Sequence, residues 1–70
     1  MTSKEKAVNL FNKYYVSILE INNDLSEEII ISILAKKHAL IAVDEIISTF
    51  AIMGLGSKFY EDVKTEIEKL

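Results

Sequence analysis

The sequence predicts an all-α fold of three helices. Apolar residues recur at spacings of three and four along most of the chain, and polar or glycine-containing turns interrupt that spacing in only two places. The one β-branched run, residues 29–33, has no second strand-like run to pair with, and a lone strand would leave its backbone groups unsatisfied. One domain, residues 1–70, accounts for the whole chain.

The first helix is expected over residues 4–20. Thr2-Ser3-Lys4-Glu5 fits a capping box, in which the threonine hydroxyl and the glutamate carboxylate each take an amide of the other. Ala7, Phe11, Tyr14, Ile18 and Ile21 then form a stripe that Val8, Leu10, Tyr15 and Leu19 widen. Asn22-Asn23-Asp24 breaks the helix, because short polar side chains compete for backbone hydrogen bonds. Asp24 or Ser26 caps a second helix over residues 27–53, and Glu27 and Glu28 sit in its first turn, where the helix dipole favours negative charge. Gly54 supplies a left-handed cap, and Ser57 caps a third helix over residues 58–70. Phe59, Val63, Ile67 and Leu70 form its apolar side, with Tyr60 at the margin, and Lys64 is spaced to pair with Glu68.

The second helix is the long central one, and it carries more apolar surface than one face can hold. Of the 27 residues 29–55, 18 are apolar. At 100° per residue, Ile29, Ile33, Leu40, Val43, Ile47 and Phe50 lie along one side and are expected inside. Ile30, Leu34, Ile41 and Ile52 lie opposite and are expected to form a subunit contact. A 70-residue chain buries only about 60% of its unfolded surface. Chains this short need disulfides, a metal or oligomerisation, and with no cysteine the last is the route left open. A homo-oligomer is therefore expected.

Composition excludes several classes of function. The net charge is −3 and all eight basic residues are lysine, so the arginine fork that grips phosphate and guanine is missing and duplex nucleic acid is not an expected partner. The longest apolar run within residues 29–55, residues 39–43, falls far short of the roughly 20 residues that span a bilayer. A soluble protein is therefore expected, and the N-terminus has no apolar signal segment. Catalysis has little to draw on: His38 is the one histidine, flanked by Lys36, Lys37, Ala39 and Leu40 with no carboxylate to orient it. Asp44-Glu45 and Glu61-Asp62 are adjacent pairs that diverge on a helix, so neither a metal nor a catalytic site is expected, and no cofactor. Ser57 and Lys58, at a glycine-containing loop entering a helix, are candidate donors to an anion, although the loop lacks the glycine spacing of a nucleotide-binding P-loop. Lys36 and Lys37 with Tyr14, Tyr15 and Tyr60 complete the candidate ligand set, since lysine neutralises phosphate and tyrosine stacks on bases. The plainer reading places Tyr14 in the core, the lysines in solvent and Ser57 as a helix cap.

Residues 38–47, HALIAVDEII, and 59–70, FYEDVKTEIEKL, together with the opening KEKA at residues 4–7, resemble a group of small phage and prophage proteins with an ALIAVDEI-like helix and an EVKxEIEKL-like tail. Where many of that group have cysteine before the first motif and tryptophan near the tail, this chain has His38 and Tyr60. The resemblance implies the cytoplasm of a bacterial host and a counter-defence role. One mechanism it implies is sequestration of a cyclic-nucleotide immune signal at subunit interfaces. Alternatives are direct inhibition of a host defence protein in the manner of anti-CRISPR proteins, or an accessory part in structure or assembly.

Overall fold

A computed structural model describes residues 1–21 and 28–70. The expected break at residues 22–24, the capping of the second helix by Asp24 or Ser26, and Glu27 lie outside the described residues. Three helices are described: α1 over Ser3–Ile21, α2 over Glu28–Ile52 and α3 over Lys58–Glu68. Each packs on both of the others. There is no strand among the described residues.

Local sequence explains two helix ends. The Glu5 amide donates to the Thr2 hydroxyl oxygen at 3.1 Å and the Thr2 amide donates to the Glu5 carboxylate at 3.2 Å, so α1 begins on the reciprocal capping box. At the end of α2, Gly54 has φ +73°. The Leu55 amide reaches back to the Phe50 carbonyl at 2.8 Å and the Gly54 amide to the Ala51 carbonyl at 3.2 Å. This is the Schellman pattern, which satisfies carbonyls the helix can no longer pair. A Cβ on Gly54 would meet nothing within 4 Å, so the requirement for glycine is purely one of backbone conformation. Gly54→Ala is expected to cost about 1 kcal/mol, and Gly56→Ala, in open space without a positive φ, nothing measurable. Parallel thermal melts of the two variants check this.

The start of α3 departs from expectation. Ser57 sits at φ −119°, ψ 20° and its side chain makes no capping hydrogen bond; its backbone carbonyl accepts from the Glu61 amide at 2.9 Å instead. The helix ends at Glu68, with Leu70 left exposed, and Phe59 is also exposed, so the buried side of α3 reduces to Val63 and Ile67. Lys64 pairs not with Glu68 but across to Asp44 of α2, at 2.9 Å.

The core is built from small residues where the helices approach. Ala7 of α1, Ala39 and Val43 of α2 and Val63 and Ile67 of α3 are fully buried against one another, with Leu10, Tyr14, Leu40, Ile47 and Tyr60 packed around them. On α2 the buried row is Ile31, Ala35, Ala39 and Val43, at a constant spacing of four. This corrects the expected inner side: Ile29 is 77% exposed and Ile33 58%. Val43, Leu40, Ile47 and Phe50 remain on the packed side, buried or half-buried. Because α2 is apolar nearly all round, burial of one face does not follow from its pattern; the alanines win because they let the neighbouring helices come close. On α1, Ile21 is likewise exposed, and Ala7 alone is fully buried.

Candidate functional site

The most distinctive surface is the outer face of α2. Ile30, Leu34, Ile41 and Ile52 are all exposed, from 38% at Leu34 to 87% at Ile52. Burial of Ala35, Ala39 and Val43 turns this row away from α1 and α3. Ile29 and Ile33 add apolar area at the N-terminal end of the helix, and Met53 and Leu55 at the other. Between the ends the face is polar and charged: Lys37 and His38 precede Ile41, and the carboxylates Asp44 and Glu45 follow it. Ile41, Asp44, Glu45 and Ser48 line a shallow open depression of about 300 Å³.

The candidate ligand residues do not share a pocket. Tyr15 lies at the start of α2, where its hydroxyl donates to the Glu28 carboxylate at 3.4 Å, and its ring lies 6.0 Å from that of Phe11. Tyr60 lies at the other end, edge-on to Phe50 at 5.5 Å and to Phe59 at 5.2 Å. Glu28 and Phe50 are 22 residues apart on one helix, about 33 Å at 1.5 Å per residue. Tyr14 packs on the core and meets His38 edge-on at 5.9 Å. Lys36 turns to the end of α3, where its ammonium donates to the Glu68 carbonyl at 2.9 Å and meets the negative end of that helix. Lys58 pairs with Asp62 at 3.0 Å, so a carboxylate already holds the cation proposed for an anion beside Ser57. Lys37 alone of the set stands exposed on the outer face of α2, without an ion pair among the described residues.

Electrostatics follows the same contacts. Partial burial, then the Glu28 carboxylate, raises the Tyr15 pKa, so the phenol stays protonated at neutral pH. The hydrogen bonds to Asp62 and Asp44 raise the pKa of Lys58 and Lys64 respectively. A lysine whose folded pKa is raised stabilises the fold below its ordinary value, and that contribution is lost only as pH climbs through the folded pKa, above the neutral range. No group of three histidine, aspartate or glutamate side chains among the described residues could hold a metal ion. No helix among them is long and apolar enough to cross a membrane.

Sequence reasoning found the row Ile30, Leu34, Ile41 and Ile52 but missed Ile29 and Ile33 beside it. It also missed the bracketing of Ile41 by opposite charges. That signal is readable in the order Lys37, Ile41, Glu45, one turn apart at each step. No family model, no curated protein and no solved structure matches the chain.

Proposed function

We propose that this protein is a non-catalytic binding module that self-associates through the outer face of α2. The observation that carries the reading is the exposed row Ile30, Leu34, Ile41 and Ile52 on a helix whose opposite face is already committed to the core. Large apolar side chains left exposed on one face, with polar residues around them, mark an interaction site in a folded protein. Two measures of size agree with an unmet need for burial. The radius of gyration is 13.1 Å, against about 11 Å for a compact chain of this length. The accessible surface is 4900 Å², against about 4,400 Å² for a compact monomer of this mass.

In the phage setting implied by the resemblance, a module of this kind acts by occupying another molecule. Protein contact is the better-supported form of that action. Capture of a nucleotide would need several of Tyr14, Tyr15, Lys36, Lys37, Ser57, Lys58 and Tyr60 to converge on one ligand. Their spread along both ends of α2, and the engagement of Lys36 and Lys58 by α3 itself, leave Lys37 alone facing outward from the contact row.

Light scattering of the purified protein tests the reading: a mass of at least two chains is expected. Ile41→Glu is expected to give a monomer of unchanged helicity by circular dichroism, since Ile41 points away from the core. Leu40→Glu, one residue away but packed on the core cluster, is expected to lose both association and helicity. A wild-type monomer throughout the micromolar range, or equal loss of helicity in the two variants, refutes the assignment.

A further inference from the structure

The exposed face of α2 is close to palindromic about Ile41. Ile30 and Ile52 lie eleven positions on either side of it, Leu34 and Ser48 seven, and Lys37 and Glu45 four. The steps between these positions run four, three, four, then four, three, four, and read the same from either end. At 3.6 residues per turn all of them fall within a sector of about 80°. Every one is exposed.

We infer that two copies pair their α2 helices antiparallel about a two-fold axis at Ile41, with the Lys37 of each set against the acidic pair Asp44 and Glu45 of the other. The inference rests on the self-association proposed above and fixes its geometry. A two-fold contact uses the same patch on both chains, so the patch must be complementary to itself when reversed. This one is. Reversal lays Ile30 over the partner's Ile52, Leu34 over the partner's Ser48, and Ile41 on the partner's Ile41. The cationic side of Ile41 then meets the anionic side, twice. A parallel pair in register would instead stack Lys37 on the partner's Lys37 and Glu45 on the partner's Glu45, and such like-charge contacts are strongly disfavoured at an interface.

Two further observations agree. The shallow depression lined by Ile41, Asp44, Glu45 and Ser48 lies at the height, four positions beyond the axis, to which the partner's Lys37 would come. Lys36 and Asp44 are engaged within the chain, by the Glu68 carbonyl and by Lys64, whereas Lys37 and Glu45 have no ion pair among the described residues.

Charge reversal tests this in full-length protein. Lys37→Glu and Glu45→Lys, each alone, are expected to weaken self-association roughly tenfold or more, because each sets like charges together at two symmetric places. Lys37→Glu/Glu45→Lys in one chain keeps the net charge and is expected to associate as the wild type does. The decisive mixture combines the two single variants, which should form a mixed dimer while neither forms its own, readable by native mass spectrometry. Misfolding cannot produce that rescue. If the wild type is monomeric, the self-association reading fails and this geometry with it. If the wild type associates but single reversals are neutral, the mixture gives no rescue, or the mass is that of a trimer, the antiparallel geometry is overturned while self-association stands.

Discussion

Ile67→Ala is expected to remove about 2–5 kcal/mol of stability, the range for deleting a large buried aliphatic side chain without collapse of the space it leaves. At about 0.05–0.15 kcal/mol per residue, a chain of this size holds only about 3.5–10 kcal/mol in all. The variant therefore stands near the edge of folding. Ile67 is fully buried on α3 and meets Ala7 of α1 and Ala39 and Val43 of α2 in one cluster, so its removal loosens all three helices at once. A shift of 1 kcal/mol moves the midpoint of a 60–100-residue domain by about 4–8 °C, which puts the expected fall in Tm at roughly 10 °C or more. Ile21→Ala makes the same chemical change at a position 88% exposed and is expected to leave Tm nearly unchanged. Both melts must be run at one protein concentration, because association would add to apparent stability by mass action. Equal behaviour of the two variants would contradict the packing of α3.

Features confined to a few residues were legible in the sequence. The capping box needs only Thr2 and Glu5, and the left-handed end of α2 needs only Gly54, so each follows from chemistry that the surrounding fold does not have to supply. The three-helix architecture was legible for a related reason: on α1 and α3 polar residues are concentrated on one side, which gives those helices a direction. On α2 that directional signal fails. Isoleucine and leucine surround the axis, and the row that is buried, Ile31, Ala35, Ala39 and Val43, is on average smaller than the row left outside. Hydrophobicity ranks leucine above alanine; close approach of helices ranks them the other way. Ile29 and Ile33 were therefore assigned to the wrong side, while Ile30, Leu34, Ile41 and Ile52 were placed outside correctly.

The pairing of charges shows the same division between local and tertiary information. Spacing along α3 pairs Lys64 with Glu68, but the fold brings Asp44 within 2.9 Å and the ammonium goes there. Spacing also marked Lys36, Lys37 and Lys58 as cations free to meet a ligand. The fold engages Lys36 with a helix C-terminus and Lys58 with Asp62, while Lys37 stands exposed on the outer row without an ion pair among the described residues. Composition could announce eight lysines and an excess of apolar surface. Which of them stay unsatisfied depends on neighbours far away in sequence.

Ala39→Leu bears most directly on the orientation of α2, and through it on the face available to a partner. Ala39 has no exposed surface and lies in the cluster with Ala7, Val43, Val63 and Ile67, so its Cβ is already covered on every side. Leucine would add three heavy atoms where helices are closest, forcing side chains off their rotamers or the helices apart, at an expected cost of about 1–3 kcal/mol. Ala51→Leu is the matched control, because Ala51 is exposed on the same helix and the added atoms meet solvent. The two variants share their gain in hydrophobicity and their nearly equal helix propensity. A difference in Tm therefore reports packing alone. If Ala39→Leu melted with or above the wild type, the alanine row would not be the inner face, and α2 would be turned so that Ile29 and Ile33 lie inside. That rotation would also carry Lys37, Ile41 and Glu45 off the outward face, so the antiparallel pairing depends on the same alanine as the core.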